Sequence, residues 1–326
     1  MYHKNFDDLY KKIFYVSTSL ALVMFVVSVY LTDGYSAKLY LSTFSTNTFD
    51  DFFTMLRNNN TFVREYRYDS RTIYPPLANT FFLLLNRALP ESVRYSMQYD
   101  LNYNMRLEQE PLMLLILFAL FSIATFVLMC HHMKKGTSFE KILFSVLCIT
   151  SIPFLKEYEH MNIIILALLG VMVFLMWKDE ENKWLKECSL LGLAMAAGIK
   201  IYPAIFGLLL LKEKKFKESL RLVIYGIVSF IFPCFFFGGM GLRTLISNLF
   251  SVSTSFSESR RGYKIGFDSI LKELFDSYGD VGIIIKRFII ISILVLGLLS
   301  IFYLKSYWKT ILLMVCMCIG IPSISY

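Results

Sequence analysis

From Cys188 to Leu211 the chain reads CSLLGLAMAAGIKIYPAIFGLLLL, an apolar run whose one charged side chain is Lys200. A run of that length reaches across the roughly 30 Å hydrocarbon core of a bilayer as a helix. Only helices and closed barrels satisfy every backbone polar group there, and a run this uniformly apolar is helical. The lysine does not belong in a plain span. An ammonium at membrane depth costs about 2.5–3.5 kcal/mol on insertion scales and marks a functional position by default. Pro203 removes a backbone donor and disfavours helix at Tyr202, so the spacing predicts a break beside the charge. Broken helices at that depth are tolerated where they line a cavity or are buried in protein. A cation next to such a break predicts a site for an anion.

Other apolar runs repeat the first constraint. They extend over Ile13–Leu31, Pro111–Cys130, Ile142–Leu155, Asn162–Trp177, Arg221–Phe237 and Val281–Leu304. With 56% hydrophobic and 18% charged residues in 326, and a mean hydropathy of +0.54, the chain is more apolar and less charged than a soluble domain. It is a multi-pass membrane protein. The net charge of +8 does not call for nucleic acid, because Lys134-Lys135 and Lys212–Lys217 sit beside apolar runs, as cytoplasmic loops do. Lys11-Lys12 place the N-terminus in the cytoplasm, and the first run is an uncleaved signal anchor. The six cysteines have no metal-ligand spacing and read as small buried hydrophobes.

These rules give an all-α polytopic bundle over residues 1–326, with re-entrant or broken helices. A long first outer loop covers residues 32–72 and a second covers 238–280. The segment Phe49–Arg57 has the pattern of an amphipathic helix on the membrane surface. Residues 73–131 must hold an odd number of crossings, yet two apolar stretches occur there. Either Tyr74–Arg87 is re-entrant, or a further crossing is concealed after Pro90, or one basic loop breaks the charge rule. Cytoplasmic charge on both flanks of the Lys200 run predicts a hairpin turning at Lys200–Pro203.

Polar clusters gather on the predicted outer face. Asp50-Asp51 offer a carboxylate to take a proton from an attacking hydroxyl, although adjacent carboxylates on a helix point apart. Arg71 to Pro76 re-enters the apolar phase through Tyr74-Pro75-Pro76. Lys156 to His160 forms a polar loop followed by Met161-Asn162, where His160 can orient a substrate hydroxyl. Arg260-Arg261 and Lys264 in the second loop can grip phosphate through forked donors. His131-His132 face the other side and have no role. Gly238-Gly239-Met240-Gly241 lacks the P-loop lysine, and no DxD motif marks a nucleotide-sugar site; if the chain is an enzyme, its donor is then expected on a lipid carrier.

In chain order, Asp51-Phe52, Tyr74-Pro75-Pro76, Gly198-Ile199-Lys200-Ile201-Tyr202-Pro203 and the basic loop Lys212–Lys217 resemble the GT-C glycosyltransferases of family 87. That family contains polyprenyl-phosphate-mannose-dependent mannosyltransferases and their relatives. The resemblance implies a GT-C-like helical fold in a bacterial inner membrane with its chemistry at the outer face. It implies a polyprenyl-phosphate donor of mannose or another hexose, a glycan or glycolipid acceptor, and inverting transfer. Carried over, the general base is Asp51 with Asp50 as alternative. Lys200, Arg260, Arg261 and Arg71 then hold the donor phosphate, and Tyr74, Tyr202, His160, Asn162 and Glu159 line the substrate pocket. No cofactor or metal is needed by that scheme. The family's Gly-Gln-x-Asn is replaced by Glu159-His160-Met161-Asn162, with only the asparagine kept. The closing Pro322–Tyr326 resembles an internal family segment, which predicts a longer natural chain. A transporter or flippase for an anionic or lipid-linked substrate is the alternative, since broken helices and buried charge occur there too. A transporter often repeats its broken segment in both halves, and no match to the Lys200 break is evident.

Overall fold

A computed structural model of the chain describes residues 2–41, 48–59, 74–100, 103–237 and 278–320, together with 247, 270, 271, 274 and 275. All regular structure among the described residues is helical. Four helices are long and apolar enough to cross a membrane, at Lys11–Leu31, Gln109–His131, Phe216–Phe236 and Ile284–Tyr303. A fifth crossing is available if the bent pair Ser138–Ile149 and Ile152–His160 counts as one span. The all-α polytopic reading is therefore correct. The chain packs as two compact units, residues 1–64 with 79–179, and residues 65–78 with 180–326.

The first unit holds α1 (Tyr2–Leu31), α2 (Tyr35–Leu41), α3 (Asp50–Asn58), most of α4 (Pro76–Arg87), α5 (Glu91–Tyr99), α6 (Gln109–His131), α7 (Ser138–Ile149), α8 (Ile152–His160) and α9 (Ile164–Trp177). Phe126, Met129 and Cys130 of α6 and Leu169 of α9 form a buried cluster, with Phe154 of α8 packed against it. Thr137 starts α7 with a capping box, its hydroxyl accepting from the Glu140 amide while the Glu140 carboxylate accepts from the Thr137 amide. That arrangement satisfies donors the helix cannot satisfy itself. Lys11 of α1 is ion-paired with Glu140, so two segments assigned to the same side by charge do meet.

One open alternative narrows here and two sequence expectations change. Twelve-residue α4 is about 18 Å long at 1.5 Å per residue, too short to cross. Among the described residues of 73–131, α6 alone has crossing length, which favours the re-entrant alternative. The apolar face of α3 does not lie open to lipid: Phe52, Phe53, Met55 and Leu56 are all buried, with the Phe52 ring 5.6 Å from Phe82 and 5.7 Å from Phe118. Lys156 to His160 is no loop but the end of α8, which bends from α7 by 57°. Pro153 sits in the first turn of α8, where its missing N–H costs nothing.

The second unit holds α10 (Lys183–Ile199), a 3-10 helix (Tyr202–Gly207), α11 (Leu208–Lys212), α12 (Phe216–Ile231) running into a 3-10 turn (Phe232–Phe237), α13 (Gly279–Tyr303) and α14 (Tyr307–Gly320). Its core includes Leu190, Leu193, Ala194, Leu209, Leu210, Ile301 and Met314. Glu187 of α10 accepts from Arg221 and, at 2.8 Å, from Tyr225 of α12. The chain between Glu187 and Arg221 therefore leaves and returns, as a hairpin does. Lys212 donates to the Leu304 carbonyl at the end of α13 and to the buried Thr310 of α14. Of the cysteines, Cys130 and Cys234 are buried as expected, whereas Cys188 and Cys316 are exposed. Apolar periodicity assigns them to helices but does not decide which face a partner covers.

Candidate functional site

In the first unit several residues singled out from the sequence gather where α3 begins and α8 ends. Met161 closes α8 in the left-handed conformation (φ 51°) and is itself buried. The turn leads into Asn162, whose Oδ1 accepts from the Ile164 amide at 3.1 Å. That bond fixes the amide's orientation and leaves its Nδ2 to donate to Asp51 Oδ2 at 2.7 Å. Asn162 is 4% exposed. A buried amide bound at both ends is a rigid support, because leaving either group unmade costs about 1–3 kcal/mol. One Asp51 oxygen is thereby held in place.

Asp50, the alternative base, goes elsewhere. Its carboxylate is half exposed and pairs with Arg106 Nη2 at 3.2 Å. Neighbouring positions on α3 thus serve different partners, as the 100° step between adjacent helical side chains requires. Glu159 contributes its backbone: the carbonyl accepts from the Phe49 amide at 2.6 Å, while its side chain pairs with Lys156 at 2.6 Å. His160 is the last residue of α8, half-buried beside this junction. Phe49 has φ 59°, an uncommon conformation for a bulky residue. Such strain persists only where the surroundings enforce it, as they do at functional sites. At the other end of α3, Arg57 Nη2 donates to the Tyr103 carbonyl at 3.0 Å. Burial, then Glu108 and Glu110, push the Tyr103 phenol up to about 12.

In the second unit the sequence elements at Tyr74 and Lys200 meet. Helix α10 ends at Ile199, and Lys200 is extended (φ −139°, ψ 131°) before the 3-10 turn starts at Tyr202. The predicted break is there. Lys200 is 5% exposed, and its Nζ lies 4.1 Å from the centre of the Tyr74 ring. A desolvated cation on an aromatic face gains about 2 kcal/mol, which offsets part of the cost of burying it. Gly198 makes the approach possible. A Cβ there would lie 3.0 Å from Leu77 Cδ2 and 3.2 Å from Ser229 Cβ, so a larger residue would require the Leu77 side chain and Ser229 of α12 to give way by a few tenths of an ångström.

The residues after Lys200 border an apolar cleft of about 310 Å³. Ile201, Tyr202 and Ile205 form one side, and Leu294 and Leu298 of α13 with Met317 and Cys318 of α14 complete it. Tyr202, expected in a substrate pocket, stands in this cleft, and its carbonyl lies 3.6 Å from Cys318 Sγ. Arg71, Arg260, Arg261 and Lys264 fall outside the described residues. Among the described residues no three His, Cys, Asp or Glu side chains converge to hold a metal. Arg106 was not singled out from sequence, and its isolated position in a polar stretch carries no pattern that would have found it.

Comparison with known proteins gives one match. The glycosyltransferase family 87 model matches residues 72–321. Tyr74, Asn162, Lys200 and Tyr202 lie inside that range, and Asp50 and Asp51 precede it. No curated protein and no solved structure matches.

Proposed function

The chain belongs to glycosyltransferase family 87, and from that premise we propose that it moves a hexose, mannose or a relative, from a polyprenyl-phosphate donor to a glycan or glycolipid acceptor. It is a membrane glycosyltransferase with a helical, membrane-crossing fold. In the proposed reaction the acceptor hydroxyl attacks the anomeric carbon from the face opposite the phosphate. The bond from that carbon to the phosphate oxygen breaks, the new glycosidic bond forms, and polyprenyl phosphate leaves with the bonding electron pair. The acceptor proton goes to the carboxylate of Asp51, and the sugar is inverted.

The observation that carries this reading is the Asp51 carboxylate held by Asn162 at 2.7 Å. A general base works when it is fixed within reach of the proton it takes, and contributes about 10²–10⁴-fold. Asp50 is the weaker choice because Arg106 occupies it. Lys200 is the donor cation. A phosphate leaving group gains charge as the bond breaks, and a fixed ammonium in a poorly hydrated site stabilises that charge more than one in water. The apolar cleft starting at Ile201 suits the isoprenoid chain such a phosphate carries. Tyr74 holds Lys200, and Arg71, Arg260 and Arg261 are further phosphate ligands in this scheme. In this scheme His160 and Glu159 are contacts for the acceptor and Tyr202 a contact for the lipid. The reaction needs no cofactor. The setting is a bacterial inner membrane with the chemistry facing outward.

The test is a transfer assay on the full chain in lipid nanodiscs, offering polyprenyl-phosphate mannose, glucose and galactose beside the corresponding nucleotide sugars, with a membrane glycolipid extract as acceptor. Transfer from a lipid donor alone is expected. Transfer from a nucleotide sugar would overturn the donor assignment. Lipid-linked sugar crossing the bilayer without transfer would favour the flippase reading.

A further inference from the structure

We propose that Arg106 is a positioning residue for sugar transfer, a latch that fixes the start of α3 and so the direction of the Asp51 carboxylate. This rests on the reading of Asp51 as general base.

Helix α3 begins without a side-chain cap of its own. Phe49 at the N-cap has no side chain able to accept from the first turn and adopts a left-handed backbone. Its neighbours are instead held from outside. Arg106 Nε donates to the Thr48 carbonyl at 2.9 Å, and Nη2 of the same guanidinium reaches Asp50 Oδ1 at 3.2 Å. The guanidinium carbon stands 5.4 Å from the centre of the Phe53 ring. One planar group thus grips the residue before the N-cap, the first helical residue and the first turn of the buried face. The Arg106 amide is in turn held by Asn104 Oδ1 at 3.1 Å. The same short segment takes the other end of α3 through Arg57 and the Tyr103 carbonyl. Residues 103–107 therefore hold the helix at both ends.

The latch divides two adjacent carboxylates. Asp50 is committed to Arg106, which offsets its charge next to Asp51, and Asp51 is left to Asn162 and the reaction. The Arg106–Asp50 pair is partly exposed, so it adds little to overall stability. Its effect lies in geometry. Misplacing a reacting group by about 1 Å costs on the order of 10²-fold in rate.

The experiment compares wild type, Arg106→Gln, Arg106→Lys and Asp51→Asn as full chains in nanodiscs. Steady-state transfer is measured with whichever polyprenyl-phosphate hexose the wild type uses, alongside amide hydrogen exchange over residues 48–58. In Arg106→Gln, kcat is expected to fall by about 10- to 100-fold with donor KM within about 3-fold of wild type. Exchange in the first turn of α3 should quicken while the unfolding temperature changes little. Arg106→Lys keeps the charge but not the fork, so it should recover only part of kcat. Unchanged exchange in Arg106→Gln would overturn the latch. Faster exchange with wild-type kcat, when Asp51→Asn is inactive, would overturn the positioning role alone. Wild-type transfer by Asp51→Asn would remove the general-base reading and this inference with it.

Discussion

Asp51 and Lys200 are opposite charges treated in opposite ways. The carboxylate is only half-buried, at the mouth of a helix, and one oxygen is fixed by a buried amide. The ammonium is almost fully buried, placed on an aromatic face at a helix break. The difference suits the two roles proposed for these groups. A group that exchanges a proton must be reachable by its substrate, so it gains from being held but not enclosed. A group that stabilises developing charge gains most where water is absent and nothing need reorganise.

Substitutions can break this contrast. The largest effect is expected from Asp51→Asn, a loss of transfer of about 10²–10⁴-fold with donor binding kept, measured as product per folded enzyme. Asp50→Asn should cost only several-fold, and an equal loss in both would erase the distinction between the pair. Lys200→Met is next. It should weaken binding of the donor by about 10- to 100-fold, the worth of a charge-assisted hydrogen bond. Tyr74→Phe should leave that affinity unchanged, since the ring face remains. Tyr74→Ala should lie between.

Smaller effects test the supports. Gly198→Ala sets a Cβ 3.0 Å from Leu77 Cδ2 and 3.2 Å from Ser229 Cβ, so packing strain set against the helix-propensity gain of about 1 kcal/mol should leave a net loss of up to about 2 kcal/mol in unfolding free energy. Donor binding should fall with it if the close approach holds Tyr74 over Lys200. The smallest effect concerns Tyr103. Its phenol keeps its proton up to about 12 in the folded chain, against an ordinary value of 10.0. Above pH 10 the unfolded chain therefore binds fewer protons than the folded one, and stability falls as pH rises. Tyr103→Phe should flatten that alkaline slope in a thermal-unfolding series.

The sequence made much of this visible, unevenly. Lys200 stood out because a charge in an apolar run has an energetic cost, and Pro203 located the break. Tyr74-Pro75-Pro76 was visible as a motif, but its seat against Lys200 was not, since nothing local encodes a contact between distant segments. Asp51 and Asn162 were each singled out without being paired. Arg106 was invisible because half its work is done on the Thr48 carbonyl, and a backbone acceptor leaves no trace in sequence. The helical end of α8 read as a loop because LKEYEH is polar, and polarity reports exposure rather than backbone shape. Helix α3 showed the reverse error: its apolar face was correctly found, but periodicity does not say whether lipid or protein covers it.

The central claim is that the two charges divide the reaction, one moving the proton and the other holding the phosphate. Its most direct test measures donor affinity and single-turnover transfer together in Asp51→Asn and Lys200→Met, using the full chain and the lipid-phosphate hexose that wild type accepts. A crossed result is predicted: Asp51→Asn binds donor normally and does not transfer, whereas Lys200→Met binds donor weakly. If both variants lose donor affinity to the same degree, or if Asp51→Asn transfers at the wild-type rate, the division of labour is contradicted.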